Sequence, residues 1–180
     1  MKNRLNLATK FREMGFTKGA EIGVADGRFS ANLCQRIPEL KLYCIDPWAS
    51  YPDNYRGGGQ EQQKTNHKKA MEKLKNYDAT LLQSMSVSAS YGFENNSLDF
   101  VYIDGNHDFD YVMLDLIHWC RKVRKGGVVA GHDYYHFHGS GVIEAVNAYA
   151  AGHGITVNVI GEIRKHRNDD DNPSFWWVKK

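Results

Sequence analysis

Glu21-Ile22-Gly23-Val24-Ala25-Asp26-Gly27-Arg28-Phe29-Ser30 reads as the end of a strand, a glycine turn and the start of a helix. Gly23 and Gly27 stand where a chain leaving a buried strand must bend sharply and let a ligand approach its backbone, which a Cβ would obstruct. A dinucleotide turn has the pattern G-x-G-x-x-G, whereas the spacing here is G-x-x-x-G with Ala25 in the middle. Glu21 and Asp26 also put negative charge where a pyrophosphate would rest. Carboxylates at that place suit a ligand with positive charge, such as a sulfonium or an ammonium group. The missing middle glycine and the acid in the turn argue against a nicotinamide dehydrogenase.

Outward from the turn, residues 29–37 have the spacing of a helix ended by Pro38, and residues 40–45 form a short apolar run that closes on Asp46. This is a βαβ unit. Asp46 falls 23 positions after Gly23, near the offset at which an acid meets a ribose diol in nucleotide-binding α/β folds. Toward the N-terminus, residues 3–14 read as a leading helix stopped at Gly15. Residues 47–63, with Trp48, Tyr51, Tyr55 and Gly57-Gly58-Gly59, break the rhythm and read as an insertion suited to a lid. Residues 65–76 then read as a basic amphipathic helix with Ala70, Met71 and Leu74 inward.

Three further strand ends carry polar clusters. Residues 79–82 lead into Gln83-Ser84-Met85-Ser86, residues 98–103 into Asp104-Gly105-Asn106-His107, and residues 128–130 into Gly131-His132-Asp133-Tyr134. Between the last two, Asp108 is placed to cap a helix whose Val112, Leu116, Trp119, Cys120 and Val123 share a face, ended by Lys125-Gly126-Gly127. Residues 141–151 read as a small-residue helix, and residues 155–160 and 174–178 as closing strands joined without a helix. The alternation predicts a doubly wound parallel sheet covered on both faces, in one α/β domain, with the final strand antiparallel.

The chain of 180 residues has 23 basic and 21 acidic side chains, so its formal charge of +2 indicates neither a nucleic-acid nor a membrane partner. No apolar run approaches the length of a span or of a signal core, and the expectation is a soluble, cytoplasmic protein. Cys34, Cys44 and Cys120 are widely spaced and read as buried thiols. Asp169-Asp170-Asp171 reads as a solvated loop tip.

In an open parallel sheet, ligands gather at the carboxyl ends of the strands, and Glu21–Gly27, Asp46, Gln83–Ser86, Asp104–His107 and His132-Asp133 all belong there. Asp104, His132 and Asp133, from neighbouring strands, could share a divalent cation that orients and acidifies a substrate hydroxyl. His107, three residues past Asp104, suits a general base. Glu-Ile-Gly-Val-Ala-Asp-Gly, Cys-Ile-Asp-Pro-Trp, Leu-Asp-Phe-Val-Tyr-Ile-Asp-Gly-Asn-His and Gly-Gly-Val-Val-Ala-Gly-His-Asp-Tyr occur in this order. In these motifs the chain resembles class I S-adenosylmethionine-dependent methyltransferases, and most of all the small bacterial group related to metal-dependent macrolide-sugar and catechol O-methyltransferases.

The resemblance implies a Rossmann-like seven-stranded sheet with a reversed last strand and a single methyltransferase domain over residues 1–180. It further implies that Glu21, Gly23 and Gly27 line the methionine part of S-adenosylmethionine, that Asp46 holds the ribose, and that Ser86 neighbours the adenine. Asp26, Trp48 and Asp104 complete the expected cofactor surroundings. Asp104 and Asp133 match metal-ligand positions and His107 matches a base. Where relatives often have an acid pair or Asp-Asn, this chain has His132-Asp133, which admits manganese, iron or zinc beside magnesium. The expected reaction is metal-assisted O-methylation of a small-molecule or sugar hydroxyl, with a homodimer partner completing the pocket. Two other readings stand beside it: a metal-dependent hydrolase built on His132, His136 and His138, and a non-catalytic cofactor-binding module of the same fold.

Overall fold

Asn3 starts the first helix, α1 (Arg4–Glu13): its side-chain oxygen accepts the Leu5 amide at 3.2 Å, and the Asn6 side chain accepts the Asn3 amide at 3.3 Å. In the computed structural model, which describes residues 3–50, 59–137, 139–162 and 169–180, strands and helices then alternate. They are β1 (Lys18–Ile22), α2 (Arg28–Arg36), β2 (Lys41–Asp46), α3 (Gln60–Leu74), β3 (Ala79–Gln83), the short α4 (Ser86–Ser90), β4 (Leu98–Ile103) and α5 (Phe109–Trp119). The chain continues through β5 (Val123–Gly131), α6 (Val142–His153), β6 (Asn158–Ile160), a 3-10 turn (Asp169–Asp171) and β7 (Ser174–Val178).

The seven strands form one sheet in the order β3-β2-β1-β4-β5-β7-β6. β1 to β5 pair in parallel, and β7 runs antiparallel between β5 and β6, as the short connection without a helix predicts. Successive side chains of β4 divide the core. Phe100 and Tyr102 face α1 and α2, while Val101 and Ile103 face α5 and α6. On the first face Phe11 stacks on Phe100 with ring centroids 4.5 Å apart. On the second, Val112, Leu116, Trp119 and Val146 close over Val129, Phe175 and Trp177. Trp119 is fully buried, in agreement with its expected core role. The two faces therefore exclude water from the central strands β1 and β4, and the polar residues gather at the edge.

Several boundaries differ from the sequence reading for identifiable reasons. Val123 is the first residue of β5, paired with Leu98, and not the last of a helical face. The helix ends at Trp119, and the Lys179 side chain donates to the carbonyls of Arg121 and Val123, holding the exit. Gly126 at φ 75° bends β5 without ending an element. Helix α3 begins at Gln60, five residues before the expected start, and Met71 faces solvent while Gln63 is buried. Its weak apolar stripe gave no sharp register. The lid expectation for residues 47–63 falls largely on residues 51–58, outside the described residues.

Gly23 has φ 86°, and a Cβ built there would lie 2.1 Å from the Asp104 carbonyl oxygen. Gly15 has φ 71° but nothing within 4 Å. The two positions separate conformational strain from close approach. Gly15→Ala is expected to cost about 1 kcal/mol, lowering the melting temperature by roughly 2–4 °C. Gly23→Ala should cost at least about 3 kcal/mol, so its melting temperature should fall well below that of Gly15→Ala in parallel thermal melts. Equal losses would mean that the β1–β4 approach imposes no constraint.

Candidate active site at the carboxyl ends of the strands

The turn after β1 is built by the residues assigned to it, though several are bonded to one another. Asp46 Oδ2 accepts the amides of Val24 and Ala25, both at 2.9 Å, and Oδ1 accepts that of Trp48 at 2.7 Å. The Trp48 indole N–H returns a bond to the Ala25 carbonyl at 2.8 Å, and its ring, almost wholly buried, stacks on His67 at 4.2 Å. Ala25 and Trp48 both have positive φ, 49° and 42°, a conformation these bonds hold in place. Burial pushes the Asp46 carboxyl up, against the pull of the three amides. The carboxylate expected at a ribose thus also clamps the turn, and Trp48 forms its floor.

Glu21, 1 % exposed, accepts a hydrogen bond from Ser30 Oγ at 2.5 Å. Burial outweighs that bond and raises its pKa to about 8, so the acid is largely protonated at neutral pH. Asp26 points the other way. Lys73 donates to it at 2.7 Å and Arg28 at 3.1 Å, and against the effect of partial burial these bonds keep its pKa below the usual carboxylate value. Its charge is matched by surface cations, so it offers less to a ligand than its place in the turn suggests. Ser86 is also occupied: its hydroxyl donates to Asp115 Oδ1 and accepts the Trp119 indole N–H at 2.7 Å. Asp115, buried with no charged hydrogen-bond partner, is pushed up to about 7.

Across the turn, β4 and β5 bring four expected residues together. His107 Nε2 lies 3.2 Å from Asp133 Oδ2 and 3.9 Å from Asp104 Oδ1. His132 Nδ1 lies 3.3 Å from Asp133 Oδ1 and 3.6 Å from Asp104 Oδ1. Local bonds fix the arrangement. Asn106 Oδ1 accepts the amide of Asp108 at 2.9 Å and fixes the residue before α5, while the Asp108 side chain, which the sequence reading made the cap, forms no capping bond. The His107 carbonyl accepts the Gly141 amide at 2.8 Å, and Asp133 turns its carboxylate inward from a backbone with φ 53°. Asn172 Nδ2 donates to Asp133 Oδ1 at 3.3 Å.

Burial alone would strip a proton from His107, but the bonds and charges of Asp104 and Asp133 prevail and raise its pKa to about 9. The same pairing, with that of His132, holds Asp133 well below the usual carboxylate range despite its burial. His107 is therefore a proton-holding group in this arrangement, and not the free imidazole of unperturbed pKa that its sequence context suggests. One ligand atom from each of Asp104, His107 and Asp133 lies within 4.8 Å of the others. Two carboxylates and an imidazole fit a borderline divalent cation, and the buried, unpartnered His132 Nε2 marks a polar group beside that set.

Two contributors escaped the sequence reading. Arg4, from the far N-terminal helix, donates to Asp104 Oδ2 at 3.0 Å and to Asp170 Oδ1 at 2.7 Å. Asp171 accepts from Asn3 Nδ2 at 2.9 Å. The acidic run at 169–171 is thus bound to α1 through Asp170 and Asp171 and is not a solvated tip. His136, with a side chain 77 % exposed near Glu144, stays outside the cluster, and His138 lies outside the described residues.

The raised pKa of Glu21 has a defined sign in stability. The folded state keeps its proton between the unfolded value near 4.5 and the folded value of about 8. Stability from the neutral acid is thus complete below the lower value and declines as pH rises toward the upper. Glu21→Gln, which keeps the acceptor for Ser30, is expected to gain on the parent by up to about 1.4 kcal/mol per pH unit across that window. Denaturant melts from pH 5 to 8 read this directly, and a pH-independent difference would mean that Glu21 is ionised in the fold.

Comparison with known proteins agrees with this architecture. The model of the methyltransferase-domain family matches residues 20–134, more than half of the chain. No curated protein matches it. Among solved structures, a candidate rRNA methylase from Clostridium thermocellum superposes with a TM-score of 0.68 at 14% identity, covering 100% of this chain and 99% of that one. An O-methyltransferase from Bacillus cereus in complex with SAH gives 0.68 at 13% identity, covering 97% of this chain and 80% of its own. A candidate caffeoyl-CoA O-methyltransferase from Staphylococcus aureus gives 0.67 at 15% identity, with 98% and 83% covered. The matched residues carry the Gly23–Gly27 turn, the Asp104–His107 end of β4 and the His132-Asp133 end of β5. On that match the chain belongs to the methyltransferase-domain family, as a class I S-adenosylmethionine-dependent methyltransferase.

Proposed function

We propose that the protein transfers the methyl group of S-adenosylmethionine to a hydroxyl of a small molecule or sugar, with a divalent cation held by Asp104, His107 and Asp133. One observation carries the reading: the glycine turn and the Asp–His cluster touch, since the Gly23 Cα lies against the Asp104 carbonyl. A sulfonium bound at the turn and an oxygen bound at the cluster are then neighbours. Methyl transfer needs little beyond holding oxygen, carbon and sulfur in line.

In this reading Gly23 and Gly27 leave room for the methionine part, and Asp46 offers its carboxylate to the ribose from the position in which it braces the turn. Asp104 and Asp133 orient the acceptor hydroxyl. A divalent cation, when bound, supplies the charge that acidifies that hydroxyl. His107 would join the cation's ligands through Nε2 once its resting proton has passed to solvent, so the proton of the acidified hydroxyl would leave to water and not to that nitrogen. Tyr135 and Phe137, with ring centroids 4.9 Å apart, and the edge contact of Phe137 with His107 at 5.5 Å put aromatic surface beside the cluster, where an acceptor's apolar part would rest. The O-methyltransferase neighbours from Bacillus cereus and Staphylococcus aureus support oxygen as the acceptor atom.

Thermal unfolding with S-adenosylhomocysteine tests the cofactor first. Ligand at ~100 times its dissociation constant should add about 2.7 kcal/mol, a rise of roughly 5–10 °C. Asp133→Asn should keep most of that rise while methyl transfer to a panel of phenolic and sugar hydroxyls falls by about 10²-fold or more. A parent protein that binds the cofactor product yet methylates nothing in the panel, with or without added manganese, would favour the binding-module reading.

A further inference from the structure

The buried guanidinium of Arg4 is bonded to a carboxylate of the cluster, and no mechanism described above uses it. Arg4 is 8 % exposed, its guanidinium carbon lies 4.7 Å from the centre of the Phe29 ring, and its two polar contacts are Asp104 Oδ2 at 3.0 Å and Asp170 Oδ1 at 2.7 Å. A guanidinium cannot give up its charge in a protein. Burial works against the cation, but Asp104 and Asp170 hold its proton more firmly than in free arginine. The cluster therefore contains a permanent positive charge on the outer side of Asp104, while Oδ1 of the same carboxylate faces His107 and His132.

We infer that Arg4 is a positioning residue that sets the affinity of the Asp104–His107–Asp133 cluster for divalent cations, lowering it through its fixed charge, while Asp170 moderates that charge. The inference rests on the cation site proposed above. Two effects of Arg4 oppose each other. Its hydrogen bond fixes the Asp104 rotamer with Oδ1 inward, which favours cation binding. Its charge, sharing one carboxylate with the cation, disfavours binding. A bond to a charged group is a short-range term worth roughly ten- to a hundredfold in an equilibrium, whereas a guanidinium and a divalent cation on the two oxygens of one carboxylate repel by roughly a thousandfold or more in a protein medium. The charge prevails.

A functional consequence follows from the sign. With both histidines neutral, the carboxylates of Asp104, Asp133 and Asp170 and the guanidinium of Arg4 leave two net negative charges, which a divalent cation balances. The filled site is then neutral, where without Arg4 it would stay negative, so Arg4 removes a charge that would oppose an acceptor oxygen bound as its anion. In the class of reaction proposed, that anion is the nucleophile. Arg4 would thus exchange cation affinity for acceptor activation.

The test is manganese binding to the full chain, followed by calorimetry and by the relaxation of solvent protons, in three variants checked for folding by circular dichroism. Arg4→Met keeps most of the stem and removes the charge, and should bind manganese at least about tenfold more tightly, ~1.4 kcal/mol. Arg4→Lys keeps the charge and should stay within about threefold of the parent on the same argument. Asp170→Asn leaves Arg4 in place with its charge less balanced, and should weaken manganese binding. This third variant decides the matter if Arg4→Met does not fold. Weaker or unchanged binding in Arg4→Met, equal behaviour of the methionine and lysine variants, or tighter binding in Asp170→Asn would overturn the role of Arg4 while leaving the cation site standing. A parent protein that binds no manganese would overturn both the site and this inference.

Discussion

At the end of β1 the backbone of one strand rests directly on the backbone of another, and the site depends on that contact. The Asp104 amide donates to the Ile22 carbonyl at 2.7 Å and the Gly23 amide to the Ile45 carbonyl at 2.9 Å, so β2, β1 and β4 end level with one another. No side chain can be placed between Gly23 and Asp104. A wider junction would separate the glycine turn from the Asp104–His107 cluster, which in the proposed reaction hold donor and acceptor. In a reaction limited by alignment, displacements of an ångström are costly. The covered faces of the sheet serve this edge: two apolar layers bury β1 and β4, the strands that meet at the junction, along nearly their whole length.

The charges at this edge follow one rule. Acids with a cation within bonding distance are ionised, as Asp133 is beside His107 and His132 and Asp26 beside Lys73. Acids whose only side-chain donor is a hydroxyl are pushed toward neutrality, as Glu21 is with Ser30 and Asp115 with Ser86. The distinction assigns different work to residues that look alike in the sequence. Glu21 contributes packing and a hydrogen bond beneath the turn, whereas Asp104 and Asp133 contribute charge that can act on a ligand.

Most of the architecture was legible because it is written in local terms. Glycines, strand-length apolar runs and the polar residues that follow them are contiguous signals, and they gave the sheet, its reversed final strand and the convergence of Asp46, Asp104, His107, His132 and Asp133. What was lost depended on distance or on competition. Nothing near Arg4 announces a partner a hundred residues away, and a run of three aspartates reads as solvated unless that arginine is known to face it. Ser86 was placed at the correct strand end, yet its hydroxyl is committed to Asp115 and Trp119, which no periodicity reveals. The α5–β5 boundary was misplaced because Val123 continues a helical stripe by spacing while its backbone is already paired to Leu98.

The pairing of Arg4 with Asp170 joins positions 166 residues apart. During synthesis the N-terminal helix, the glycine turn and Asp104 all leave the ribosome well before β7, the strand that fills the gap between β5 and β6, so Arg4 and Asp104 are both made long before Asp170. Until then the edge of β5 is open and the cluster lacks its outer counter-charge. Completion of the sheet and completion of the site are therefore one late event. A chain stalled short of that event would carry every residue of the turn and the cluster and still lack the electrostatic balance under which they act.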